Sequence, residues 1–322
     1  MSSVKDHYLV IGARGFIGAW ICRLLIEAGH RVTGADATPD PRSADCVLAD
    51  EHNDRLSFVV CDARDADAID RLVGEGVTHV IYLAGLLRPA SENDPWLSAQ
   101  ISIGGLMHVF RAVERRKGIH IAYASTAAVY GPAANYPGKK VTDKSVPNPT
   151  DHYGTQRLAM EMTARAFFLQ HGVGSLGLRP WIVYGAGRFN GLSAQPSIAM
   201  LAAAAGKPFE IAFGNRTIVH HARDVAEAFV RGVQSNLDDA VIANIPGESV
   251  SMPDLVAIIN RAAPESKGKI TIKKATLGQP EYLEDPTLER LIGPLPSPTQ
   301  ERTRETIADY RRLLAEGRIT FP

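Results

Sequence analysis

A chain of 322 residues, 45% hydrophobic and 22% charged, has room for one large or two modest domains around a sizeable core. Lys plus Arg and Asp plus Glu number 35 each, so the net charge is zero. That balance argues against nucleic acid or an anionic membrane as partner and leaves a small-molecule substrate as the expectation. Three cysteines, Cys22, Cys46 and Cys61, are too few and too irregularly spaced for a disulfide framework or a zinc site. No run of about 18 apolar residues occurs, and the N-terminus enters a strand without a signal-peptide layout, so a soluble, unprocessed cytoplasmic protein without a metal is expected.

Short aliphatic runs alternate with helical patterns through the first half. Strands are expected at "YLVIG" (8–12), "RVTGAD" (31–36), "LSFVVCD" (56–62), "HVIYLAG" (79–85), "HIAYAST" (120–126) and "GSLGLRPWIVYG" (174–185). Helices are expected over 16–29, 65–73 and 94–116 and from about Asp151 onward. Strands apolar on both faces and separated by helices form a parallel sheet covered on both sides, a doubly wound α/β fold. After Gly185 the pattern changes: a Gly-rich loop (185–196), a helix closed by Gly206 and Pro208, a strand at 241–247, a capped helix at 251–263, a Pro- and Gly-dense stretch and a last amphipathic helix at 298–317. The expected division is a dinucleotide domain over 1–178, with 215–245 returning to it, and a smaller α/β substrate lobe over 179–214 and 246–322.

"VIGARGFIG" places Gly12, Gly15 and Gly18 directly after a strand and at the start of a helix. Glycines there let the backbone turn tightly and approach a pyrophosphate, whose charge rests on the helix N-terminus. Asp36 ends the next strand, where a carboxylate accepts hydrogen bonds from the adenosine ribose and repels a 2′-phosphate. NAD is therefore the expected cofactor. Arg14 and Arg42 are placed where a guanidinium reaches such a phosphate, so NADP stays open.

With "GARGFIG", "GAD", "CDARD", "YLAG", "ASTAAVYG", "NPTDHYGTQR", "LRPWIVYG" and "RTIVHHARDVAEAF" in this order over about residues 8–229, the chain resembles the extended short-chain dehydrogenase/reductases, the Rossmann-fold epimerases, dehydratases and dehydrogenases of nucleotide sugars. The resemblance implies that the loop from Gly12 to Gly18, with Arg14, Phe16 and Ile17, holds the cofactor. It also implies that Asp62 and Ala63 border the adenine, that Leu83, Ala84 and Gly85 line the middle of the cofactor, and that Pro180 lies near the nicotinamide. The catalytic hydroxyl of the family falls on Thr126, with Ser125 as a substitute, and the acid/base falls on Tyr153. A homodimer through helices near 94–116 and 154–170 is implied as well.

Two positions depart from the family pattern. Where the family has lysine one turn after the tyrosine, this chain has Arg157. A cation there favours the phenolate of a residue whose ordinary pKa of about 10 makes it a poor base, and Arg157 keeps the charge with a longer, planar, forked group. Tyr136 with Lys140 and Tyr184 with Arg188 share the spacing but sit among Gly and Pro, although Lys139 or Lys140 has the reach to fold back over the site. On the substrate side, Ile182 replaces an asparagine of the sugar-nucleotide enzymes. Arg188 and Arg216 remain candidates for a phosphate or carboxylate. Leu86, Leu87 and Trp181 are candidates for an apolar wall, and Asp224 for a helix cap; His220 and His221 are read as structural hydrogen-bonders, either of which has the reach to meet the cleft. The expected function is an NAD(P)-dependent oxidoreductase or epimerase acting at a secondary alcohol or carbonyl carbon of a sugar, sugar acid or sugar nucleotide. The competing expectation is a catalytically impaired dinucleotide-binding sensor or scaffold.

Overall fold

A computed structural model describes residues 6–37, 42–48, 55–74, 76–235, 237–295 and 298–321. Strands β1 (His7–Ile11), β2 (Arg31–Asp36), β3 (Leu56–Val60), β4 (His79–Tyr82), β5 (His120–Ala124), β7 (Ser175–Arg179) and β11 (Ala240–Asn244) form one seven-stranded sheet. Its order is β3-β2-β1-β4-β5-β7-β11 and every pairing is parallel. Alternation along each strand feeds two separate cores. Tyr8, Val10, Ile81 and Ala122 face helices α1 (Phe16–Glu27) and α9 (Ala222–Val233), whereas Leu9, Ile11, Val80, Tyr82, Ile121 and Tyr123 face α3 (Ala66–Val73), α6 (Gly105–Glu114) and α7 (His152–His171). The order reverses between β1 and β4, and the carboxyl ends of strands at such a reversal open a crevice.

The expected strand over 174–185 is two strands. Pro180 has no N–H to give a ladder and its carbonyl accepts from Ala127 N (3.0 Å), so β7 stops at Arg179. Strand β8 (Ile182–Tyr184) then joins a three-stranded sheet with β10 (Arg216–His221) and β12 (Glu248–Ser251). Within 215–245, α9 and β11 pack into the central layers while β10 belongs to this smaller sheet. Two more parallel pairs, β6 (Lys140–Thr142) with β14 (Tyr282–Glu284) and β9 (Phe209–Ile211) with β13 (Ile270–Ile272), complete the periphery alongside helices α8 (Gln195–Ala205), α10 (Met252–Ala262) and α12 (Thr299–Ala315).

The expected helix over 94–116 is also interrupted. Asp94 caps α5 (Pro95–Ala99), a π-turn runs from Gln100 to Gly104, and α6 follows. The buried Tyr82 hydroxyl donates to the Ile101 carbonyl in that turn (2.5 Å) and lies where a side chain on Gly105 would stand. A π-turn admits one extra residue per turn, and here it makes room for a phenol from beneath. Among the described residues no helix is long and apolar enough to cross a membrane.

Candidate active site

A cleft of about 400 Å³ lies over the carboxyl ends of β1, β2 and β4. Gly12 takes φ +91°, and a Cβ there would stand 3.1 Å from both the Ala84 nitrogen and the Leu83 carbonyl carbon. The glycine thus lets two strand ends close on each other. A side chain at Gly18 would collide with the Gly12 carbonyl, so only glycine brings α1 this near the loop. Gly15 caps α1 without any side-chain hydrogen bond, and it lines the cleft with Gly12 and Arg14. The first-turn amides of α1 have no intrahelical acceptor, the arrangement that receives an anion.

Asp36 lines the same cleft, and its Oδ2 accepts the Arg14 backbone N–H at 3.0 Å, which ties the glycine loop to the end of β2. The Arg14 guanidinium lies over the Phe58 ring, 4.9 Å from its centroid. Asp62, Ala63, Leu83, Ala84, Gly85 and Leu86 continue the lining. A hydrogen bond from Arg64 to Asp62 holds that carboxyl below its ordinary range. Phe16 and Ile17 turn instead into the helix–sheet core, and Pro180 is buried. These three are not among the residues that line the cleft.

Helix α7 presents the candidate chemistry. Asp151 caps it by accepting the Gly154 N–H (2.7 Å), and Glu92 takes the His152 and Tyr153 N–H groups (3.2 and 3.0 Å). Two carboxylates thus satisfy three first-turn donors and fix the backbone of Tyr153. Burial pushes the Glu92 carboxyl up, but those two N–H bonds leave it net below its ordinary range. One turn on, Arg157 is 3% exposed; its Nη1 donates to the Ala124 carbonyl (2.8 Å) and its guanidinium carbon lies 5.3 Å from the Tyr153 ring centroid. Its Nε is buried with no hydrogen-bond partner. Arg88, ion-paired with Asp151 at 2.8 Å, is a second cation 5.9 Å from the same ring. Gly85, at φ +156°, leaves the space that the Arg157 guanidinium occupies.

At the end of β5, Thr126 is 9% exposed and its Oγ accepts the Ala128 N–H (3.2 Å). The adjacent Ser125 hydroxyl donates to Glu161 (2.5 Å). Glu161, one turn beyond Arg157, forms a bidentate ion pair with Arg179, which also donates to the Tyr130 hydroxyl (2.7 Å). Ser125 is therefore engaged in a buried network beneath the site.

Residues 8–245 match the NAD dependent epimerase/dehydratase family. The chain belongs to this family. It is thus an enzyme of the extended short-chain dehydrogenase/reductase type. A UDP-glucose 4-epimerase of Mycolicibacterium smegmatis is 30% identical over 233 residues, 69% of this chain and 72% of that protein. An uncharacterized 37.6 kDa protein of Escherichia coli O111:H- is 31% identical over 186 residues, which span 55% of this chain and only 54% of that relative. Two solved structures share the fold. UDP-glucose 4-epimerase of Thermotoga maritima, with UDP-glucose, superposes with a TM-score of 0.82 at 21% identity, covering 96% of this chain and 99% of that one. A partial consensus L-threonine 3-dehydrogenase superposes at 0.84 with 22% identity, covering 95% and 100%.

In this epimerase/dehydratase family member the remaining candidates are scattered. Trp181 is 7% exposed and stacks on Tyr130 (6.1 Å) inside a separate small core with Ile218, away from the cleft lining. Arg216 donates to the Ser249 carbonyl (2.6 Å) and pairs with Asp254 (3.6 Å) on neighbouring elements. Lys139 and Lys140 pair with Glu281 and Glu284 (2.7 and 2.8 Å), so neither folds over Tyr153. His221, not Asp224, caps α9, accepting from Arg223 N (3.2 Å), while Asp224 pairs with Arg302 (2.6 Å). Leu86 lines the cleft and Leu87 is exposed. Sequence reasoning missed Glu92 and Glu161. Glu161 follows Arg157 at helical spacing and was discoverable on that face, whereas Glu92 lies 61 residues from Tyr153 with no local signal.

Proposed function

We propose that the chain is an NAD-dependent oxidoreductase or epimerase acting at a secondary alcohol or carbonyl carbon of a sugar, sugar acid or sugar nucleotide. The observation that carries this reading is a cleft lined from the Gly12–Gly15 loop and Asp36 to Gly85, with the Arg157 guanidinium packed against Gly85 and lying over the Tyr153 ring. NAD fits the residues present: the glycine cradle admits no side chain at Gly12, the N-terminus of α1 is uncapped by side chains, and Asp36 stands where a ribose would meet it.

On this reading the Gly12–Gly18 loop holds the pyrophosphate, Asp36 the adenosine ribose, and Asp62 with Ala63 the adenine. Arg157 would hold the nicotinamide ribose. When bound, NAD supplies the two-electron acceptor for the carbinol carbon. Tyr153 takes the proton from the substrate hydroxyl onto its phenolic oxygen and returns it in reverse, and Arg157 stabilises the negative charge formed there. Thr126 orients the same hydroxyl. We assign substrate binding to 179–214 and 246–322 and dinucleotide binding to 1–178 with 215–245. The exposed Met107 on α6 and Met162 and Leu169 on α7 support a homodimer through those helices. The relative from M. smegmatis makes UDP-glucose the first substrate to try.

The test is a melting-temperature series with NAD, NADP, UDP-sugars and sugar acids, followed by turnover. Stabilisation by NAD above NADP and interconversion of UDP-glucose without net NADH support the epimerase form. Net NADH from a sugar or sugar acid supports the dehydrogenase form. Stabilisation by neither dinucleotide refutes the proposal.

A further inference from the structure

The cofactor cleft is lined in part by two segments outside the central sheet: Arg42 and Ser43, which start helix α2 (Arg42–Val47), and Phe189 and Asn190 on the loop between β8 and α8. The loop is fixed to two long helices. Trp20 Nε1 of α1 donates to the Ala186 carbonyl (3.1 Å), and Tyr310 Oη of α12 donates to that of Gly185 (2.9 Å). Within the loop, Arg188 donates to the Ser193 hydroxyl (2.7 Å) and lies over the Phe16 ring at the start of α1.

Helix α2 depends on its neighbours. Six residues are too few for a helix to persist alone, and the carbonyls of its last turn lack intrahelical donors. Ala44, Cys46 and Val47 enter the main core, and hydrogen bonds from two side chains fasten the ends of the helix. At the start, Ser43 Oγ donates to the Gly187 carbonyl (2.8 Å). Gly187, at φ +92°, brings the loop so near that a Cβ there would stand 3.1 Å from the Ser43 carbonyl oxygen and 3.4 Å from Val47 Cγ2. At the far end Arg318, three residues beyond α12, donates through Nη2 to the carbonyls of Asp45 and Leu48, the second at 3.2 Å. A cation bonded to the last carbonyls also complements the helix dipole. The C-terminal segment thus holds the loop through Tyr310 and α2 through Arg318, although no residue of it lines the cleft.

We propose that Arg318 and Ser43 are positioning residues of the cofactor site: they clasp α2 to the loop between β8 and α8 and set the rate at which the dinucleotide leaves. The inference rests on the reading of this cleft as the dinucleotide site. A ligand that fills the cleft touches residues of both segments, so parting them is the step that frees it, as lid opening governs release elsewhere. Parting requires that the Ser43–Gly187 bond break and that α2 come away from Arg318. Each fastening is of the order of one net hydrogen bond, which as a change in rate is about three- to tenfold.

The experiment measures NADH dissociation from the full-length chain by stopped-flow fluorescence, with excess NAD as the chase, in wild type, Arg318→Met, Ser43→Ala and Arg311→Met. Arg311, on α12 itself, pairs with Glu265 and is the control. Arg318 is exposed and Ser43 half-buried, so neither truncation opens a hole in the core. Dissociation is expected to be about three- to tenfold faster in Arg318→Met and in Ser43→Ala, and within about twofold of wild type in Arg311→Met. Arg318 does not line the cleft, so acceleration there reports the clasp and not a lost contact with the ligand. A rate within about twofold of wild type, or slower, in either Arg318→Met or Ser43→Ala overturns the proposal. So does equal acceleration in Arg311→Met, which would mark a general loosening of α12. Wild type that binds no NADH refutes the dinucleotide reading and the clasp with it, whereas wild type that binds NADH beside variants of unchanged rate refutes only the clasp.

Discussion

Arg157 and Tyr153 stack one helical turn apart, with 5.3 Å between guanidinium carbon and ring centroid, while Arg157 Nη1 holds the Ala124 carbonyl at the end of β5. The helix and the strand end are thereby joined by one side chain. Tyr153→Phe removes only the phenolic oxygen, so turnover should fall about 10²- to 10⁴-fold while NAD affinity changes little. Arg157→Lys keeps the charge, but a single ammonium cannot hold the Ala124 carbonyl, stack on Tyr153 and fill the space beside Gly85 at once. Steady-state kinetics should show a turnover loss of about tenfold. A lysine variant faster than wild type would mark the arginine as a defect and favour the binding-only reading.

Gly85 and Arg157 should be coupled. Alanine at position 85 is strained at φ +156° and its methyl would occupy the place of the Arg157 guanidinium. Gly85→Ala is expected to cost about 1–3 kcal/mol in urea unfolding and to lower activity by displacing Arg157. Truncating the arginine removes the clash but not the strain. The double variant Gly85→Ala with Arg157→Ala should therefore be more stable than the two single losses sum to. Strict additivity would show that the two residues do not share this space.

The Glu161–Arg179 pair is a stability element beneath the site. Both side chains are nearly inaccessible, and Glu161 also receives the Ser125 hydroxyl. Glu161→Ala leaves Arg179 buried with its charge unmatched, and a loss of about 3–5 kcal/mol in denaturant midpoint analysis is expected. A loss below about 1 kcal/mol would place the pair with surface ion pairs.

The elements legible in the sequence were those whose signals are local. Alternation and length exposed the parallel strands, the three glycines exposed the strand-to-helix turn, and Asp151 followed by apolar periodicity exposed α7. What stayed hidden depends on distant contacts. Beyond Pro180 the chain leaves the central sheet and β8 pairs with β10 in another one, and the π-turn forms around a tyrosine from β4. The Glu92 cap reaches α7 across 61 residues of chain, and nothing around Trp181 announces that it packs on Tyr130.

Acid should destabilise the fold through three buried histidines. Burial, with help from the nearby His120, lowers His79 to about 4; burial lowers His220 to about 4 and, with Arg302 and Arg223 nearby, His221 to about 3. An unfolded histidine titrates near 6.5, so as pH falls through that value the unfolded chain takes up protons that the folded chain refuses until far lower pH. Each such group contributes stability that is present above its unfolded pKa and is lost as pH falls from about 6.5 towards 4, at a limiting slope of about 1.4 kcal/mol per pH unit. Urea midpoints measured from about pH 7.5 to 5.5 should fall on the acid side, steepening below about 6.5. His79 stacks on Tyr8 (4.5 Å) and its Nδ1 lies 2.8 Å from Thr78 Oγ1, so His79→Gln keeps a polar partner while removing one titration. The glutamine variant should start less stable near neutral pH and lose stability less steeply on acidification. An unchanged slope would show that His79 takes up its proton in the folded chain as readily as in the unfolded one.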